Sequence, residues 1–158
     1  MGLVESSESD ILMVHKPRIA LFQCQWCLYS EVDQYWVDHK LPPSIHLTKL
    51  SCTGRINPLY ILNAIQGGID GVMISGCLPE KCHFKEGNLS ALRQHDAFMN
   101  LLDYIGFDRD RMRFVWLDLQ DLGRIQRELA EFEAFLIGLQ PEKRLATRIS
   151  SPVGGSND

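Results

Sequence analysis

Four short apolar runs, each held apart from the next by helix-like or polar sequence, constrain this chain more than any other feature. They are Arg18 to Gln23 (RIALFQ), Ile45 to Leu50 (IHLTKL), Gly71 to Ser75 (GVMIS) and Arg113 to Leu117 (RFVWL). Each has the length of a strand, and each follows a break: Pro17, Pro42–Pro43, a Gly-Gly-Ile-Asp turn and a charged turn. The intervening stretches predict helices at 31–39, 58–66, 88–105 and 122–139. Asn57 and Pro58 are suited to the N-cap and first position of the second helix, and Gly106 to the end of the third. In the third helix Leu89, Leu92, Phe98, Leu101, Leu102 and Ile105 recur at mostly three- and four-residue steps. In the fourth, Leu122, Ile125, Leu129, Phe132, Phe135 and Leu136 form one face, with Asp121 as a cap. Strands alternating with helices predict an α/β fold: a small four-stranded parallel sheet with flanking helices, flavodoxin-like or Rossmann-like.

The expected domain is residues 17–140. Residues 1–16 form a polar N-terminal extension, and residues 141–158 form a polar tail rich in Ser, Gly and Pro. No apolar run reaches the length of a membrane span, and the start of the chain does not resemble a signal peptide. With 16 Lys and Arg against 20 Asp and Glu, the formal charge of −4 supplies no basic footprint for nucleic acid. There is no GxGxxG, P-loop, Ser/His/Asp set or paired-carboxylate motif, so neither a dinucleotide nor a hydrolytic site is expected. The composition and motifs point to a cytoplasmic protein without catalysis of its own.

The chemistry is concentrated in five cysteines: Cys24, Cys27, Cys52, Cys77 and Cys82. A disulfide framework fits poorly, because the count is odd and a chain with 45% hydrophobic residues can build a core without staples. Cys27, Cys52 and Cys77 recur with 24 residues between neighbours, about one strand-plus-helix unit, which predicts one structural level just beyond the carboxyl ends of three strands. Open α/β sheets bind ligands at that edge. Cys24 and Cys82 lie beside this set. Four thiolates suit tetrahedral zinc or an iron–sulfur cluster, and the spacing matches none of the common cluster runs. CQWC after a strand also fits a thiol–disulfide oxidoreductase, which leaves Cys52, Cys77 and Cys82 without a role. On residues alone, an electron carrier, a zinc-stabilised adaptor and a disulfide catalyst all remain open.

The stretches FQCQWCLYS and KLSCTGRINPLYILNAIQGGIDGVMISGCLPEKCHFKEGN carry CxWC, CxGR, GxDGV, GCxPxxCHF and GN in order, between Ile19 and Trp116. This pattern resembles the delta-subunit family of methyl-viologen-reducing hydrogenases, the heterodisulfide-reductase-associated hydrogenase iron–sulfur subunit. The resemblance implies an electron-transfer subunit with one [2Fe-2S] cluster at the carboxyl edge of the strands. It implies work between a hydrogenase or formate dehydrogenase and a flavin-containing heterodisulfide-reductase-like subunit, in an electron-bifurcating complex. Four of the five cysteines would ligate the cluster, and the sequence does not select the fifth. Within the same motifs, Arg55 and His83 become candidate cofactor-binding residues, and Lys81 and Lys85 could add positive charge nearby. Trp26 is suited to shielding a cluster, meeting a partner or packing in the core. Asn88 is expected to cap a helix, and Gly76 and Gly87 to serve turns.

Overall fold

The computed structural model describes residues 16–26, 39–104, 106–118, 120–121 and 123–139. The expected helix at 31–39, apart from His39, lies outside these residues, as do Cys27 and both polar extensions. The described chain forms β1 (Ile19–Cys24), β2 (Ile45–Leu50), α1 (Pro58–Gln66), β3 (Gly71–Cys77), α2 (Gly87–Tyr104), β4 (Met112–Leu117) and α3 (Gly123–Gly138), with short 3₁₀ turns at Thr53–Arg55 and Arg109–Arg111.

All four strands pair in parallel, in the order β2-β1-β3-β4. β1 and β3 occupy the centre and are buried along their whole length, which is why they read as continuous apolar runs. β2 lies at an edge and exposes His46, Lys49 and Thr48 to differing degrees. Alternate residues of each strand serve two cores. On one face Ile19, Leu21, Met73 and Val115 pack against Ile125, Leu129, Phe132 and Leu136 of α3. On the other, Phe22, Val72 and Ile74 meet Ile61 and Ile65 of α1 and Phe98, Met99 and Leu102 of α2. The result is the α/β architecture that the alternating pattern predicts.

Local signals set the helix ends. The Asn57 side chain accepts a hydrogen bond from the Leu59 N–H, and Pro58 occupies the first turn. Gly106, at φ 82°, takes the left-handed conformation after α2, where the Phe107 N–H returns to the Leu102 carbonyl at 2.9 Å.

Two expectations are corrected. At their carboxyl ends β1 and β3 run further than the apolar runs suggest, because β1 pairs with β2 through Cys24↔Leu50 and β3 with β4 through Gly76↔Trp116 and Cys77↔Leu117. Cys24 and Cys77 are therefore the last residues of their strands. The buried face of α2 is also shifted. Ala91, Phe98, Met99 and Leu102 are buried, whereas Leu101 is exposed. Phe135 of α3 is likewise partly exposed, with the Arg113 guanidinium 5.7 Å from its ring centre.

Candidate metal centre

The chain leaves β1 toward β2 on one side, whereas β3 is followed by β4 on the other, so the strand order reverses between β1 and β3. Cys24 and Cys77 end those two strands, with their sulfurs 3.9 Å apart. Both are buried. A topological switch point is where an open α/β sheet has a crevice, because the loops on its two sides diverge.

Cys52 arrives from the edge strand β2. It caps the 3₁₀ turn Thr53–Arg55, with its Sγ accepting from the Gly54 N–H at 3.4 Å. Burial pushes the Cys52 thiol above its ordinary range; the Gly54 N–H pulls it down, and the neighbouring Cys24 and Cys82 sulfurs push it up. Cys82 approaches from the loop after β3 and shares a hydrogen bond with Cys52. The fold thus gathers four of the five predicted cysteines at one edge, as a Cys24–Cys77 pair beside a Cys52–Cys82 pair. Cys24, Cys52 and Cys82 are free thiols, and Cys77 is disulfide-bonded, an exception to the sequence expectation against disulfides. A disulfide is one fate open to thiols crowded at a single site. Among the described residues no three His, Cys, Asp or Glu side chains stand in metal-ligand geometry.

Glycine creates the room for this convergence. A Cβ on Gly87 would lie 2.5 Å from Cys52 Sγ and 3.4 Å from Cys82 Sγ, and one on Gly54 would lie 2.5 Å from the Gly87 carbonyl oxygen. The CTGR turn and the start of α2 therefore touch backbone to backbone. The Gln94 side chain strengthens that contact by donating to the Gly54 carbonyl at 3.3 Å. Gly87 is required for close approach, which corrects the expectation that it serves a turn. The signal was a glycine beside each cysteine motif, and its meaning appears only once the two motifs are neighbours.

Asn88 lies within the first turn of α2 and is not its cap, which corrects the expectation. It is buried, and its side-chain amide donates to the Cys77 and Leu78 carbonyls at 2.9 and 2.8 Å. It closes the loop that carries Cys77 and Cys82. Trp26 stacks on His83, with ring centres 4.0 Å apart and planes 2° apart, and Phe84 stands edge-on to both. His83 and Arg55 are exposed. Arg55 lines a cavity of about 500 Å³ with Cys52, Phe84, Glu86 and Arg93. Lys81 shares a second cavity, of about 370 Å³, with Trp26, Cys77 and Asp118.

The fold and site define an α/β protein with a four-stranded parallel sheet and thiols gathered at its switch point. Residues 19–139 match the family described as "Methyl-viologen-reducing hydrogenase, delta subunit", and the chain belongs to that family. It is 33% identical over 129 residues to the iron-sulfur subunit of an F420-non-reducing hydrogenase from Archaeoglobus profundus, covering 81% of this chain and 94% of the relative. The iron-sulfur subunit of the vhc F420-non-reducing hydrogenase from Methanococcus voltae is 36% identical over 112 residues, covering 70% and 78%. The third relative is of another kind: a subunit of the Ferredoxin:CoB-CoM heterodisulfide reductase from Methanosarcina mazei, 32% identical over 117 residues. That match takes in 73% of this chain and only 15% of the larger protein. No helix among the described residues is long and apolar enough to cross a membrane.

Proposed function

We propose that the chain is an electron-transfer subunit carrying one [2Fe-2S] cluster, and that it does not itself transform a substrate. It would relay electrons between a hydrogenase or formate-dehydrogenase-type partner and a flavin-containing heterodisulfide-reductase-like subunit of an electron-bifurcating complex in the cytoplasm. The observation that carries this reading is the meeting of Cys24, Cys52, Cys77 and Cys82 at the switch point of the sheet. The relatives, a hydrogenase iron-sulfur subunit and a heterodisulfide reductase subunit, support an iron–sulfur cofactor and partners of the hydrogenase and heterodisulfide-reductase kinds.

Residues 17–140 would form the cluster domain, with 1–16 and 141–158 as extensions. Four of Cys24, Cys27, Cys52, Cys77 and Cys82 would hold the cluster, with Cys77 reduced. The glycine cradle at Gly54 and Gly87 is consistent with a site that needs its loops closed tightly around sulfur. When bound, such a cluster accepts and releases one electron at a time. The chain's own contribution is to supply thiolates, keep them out of water and set the surrounding hydrogen bonds and charge. The Gly54 N–H, directed at Cys52 Sγ, is one such hydrogen bond. His83 under Trp26 and the nearby Arg55 are candidates to place positive charge close to it.

Anaerobic reconstitution with iron and sulfide tests the proposal. The expected product is coloured, contains two iron and two sulfide per chain and gives a paramagnetic signal on one-electron reduction. Protein that takes up neither iron nor sulfide after full reduction of its thiols would end it. Stoichiometric zinc in a colourless protein would support the adaptor alternative instead. A free Cys24 thiol 3.9 Å from the sulfur of disulfide-bonded Cys77 favours a second reading, thiol–disulfide exchange. That reading requires turnover in an insulin-reduction assay that disappears on Cys24→Ser.

A further inference from the structure

An electron relay needs a face at which its redox site comes close to the partner's, and the side chains that share cavities with Cys52 and Cys77 mark one such face. The large exposed apolar residues among those described lie mainly on the three helices, whereas Phe84, 51% exposed, sits in the loop at the sulfur end. The point a Cβ on Gly87 would occupy is 2.5 Å from Cys52 Sγ and 3.7 Å from the Phe84 Cβ, and Phe84 and Cys52 line the same cavity, so this residue lies beside the thiol site. Trp26 and His83 meet its ring edge-on.

Charge around the ring runs against that of the whole chain. The formal total is −4, yet Arg55 and Arg93 share a cavity with Phe84 against Glu86, Lys85 follows Phe84 in the chain, and Lys81 shares the second cavity with Trp26 and Asp118. The Arg55 and Arg93 side chains line one cavity beside Cys52, and neither forms a salt bridge or hydrogen bond among the described residues. Two cations whose side chains have no ion-pair partner among the described residues, beside an exposed ring, suit an incoming carboxylate, and complementary charge steers and orients transient encounters.

Building on the electron-relay function, we propose that the Phe84 face is where the redox partner docks. The partner meets Phe84 with an apolar residue and surrounds that contact with carboxylates, one of which enters the cavity lined by Arg55 and Arg93.

The test uses the native complex, purified with a tag on this chain and treated with a carbodiimide that joins amines to carboxylates without a spacer. The expected links run from Lys81 or Lys85 to Asp or Glu of another protein in the complex, as mapped by mass spectrometry. A Lys85→Glu/Arg93→Glu double variant should retain about tenfold less partner at about 0.15 M salt, with iron per chain unchanged. Links confined to lysines elsewhere, such as Lys16 or Lys40, or undiminished recovery of the partner with the double variant, would overturn the docking face and leave the relay intact. Links at Lys81 or Lys85 in a chain without iron would keep the face and remove the cluster. A chain that purifies alone at that salt would overturn the docking proposal.

Discussion

The two ends of the sheet use glycine and buried polar groups in opposite ways. At the amino end, a Cβ on Gly71 would strike Leu136 and Phe132 side chains, so this glycine lets α3 lie close on the sheet. The polar groups there fasten the chain: Asp70 accepts from the Arg18 N–H at 2.8 Å, and buried Arg111 donates to the Asp70 carbonyl at 3.2 Å. At the carboxyl end, Gly54 and Gly87 bring backbone against backbone and against sulfur, and Asn88 fastens the loop that supplies two cysteines. One end is shaped by hydrocarbon packing and the other by the need to crowd thiols together. Stability and chemistry are therefore separable by mutation.

Phe132→Ala should have the largest effect on stability. The ring is fully buried in the α3 core, and its removal should cost about 3–5 kcal/mol in urea denaturation. Iron uptake by the fraction that remains folded should match wild type; a parallel loss of uptake would show that the two ends are coupled. Asn88→Ala should cost about 1–3 kcal/mol, because two carbonyls lose a buried donor, and it should lower iron content as well. Unchanged iron content would confine Asn88 to a structural role.

Gly87→Ala sharpens the contrast from the other side. It should weaken iron loading by about 10- to 100-fold, the range for residues that support metal ligands, with a smaller change in the denaturation midpoint than Phe132→Ala. A variant that loads normally would mean that the Cys52 loop yields easily. The smallest effect concerns pH. Burial raises the Cys52 thiol above its ordinary range, and a ligand must be a thiolate, so loading should rise with pH, by no more than about tenfold per unit, below that raised value. The stability sign is opposite. A raised thiol pKa favours the folded state below the ordinary thiol range, and that contribution is lost as pH rises through the raised value. Iron uptake measured between neutral and alkaline pH checks the first sign, and chemical denaturation over the same range checks the second.

The fold was largely legible in the sequence, because central strands buried on both faces read as unbroken apolar runs and helix ends carry local signals at Asn57, Pro58 and Gly106. The carboxyl edge was legible as a place, and less so in detail. Equal spacing singled out Cys27, Cys52 and Cys77, of which Cys27 lies outside the described residues; it gave no sign that Cys24 stands 3.9 Å from Cys77 across the switch point. Spacing along a chain ignores how far each strand's ladder continues. The α2 face departs from the pattern at Leu101 because periodicity gives a stripe without fixing the angle at which it meets the sheet.

By itself the sequence determined the element types, their parallel arrangement, the soft-ligand chemistry and the family pattern that accompanies it. Each depends on residue identity or short-range order. Tertiary structure alone decided that β1 and β3 are neighbours, that the CTGR turn touches the start of α2 through two glycines, that Asn88 holds the Cys77 loop, and that Trp26 lies on His83. Those contacts join residues far apart in the chain, and only the order β2-β1-β3-β4 brings them within reach.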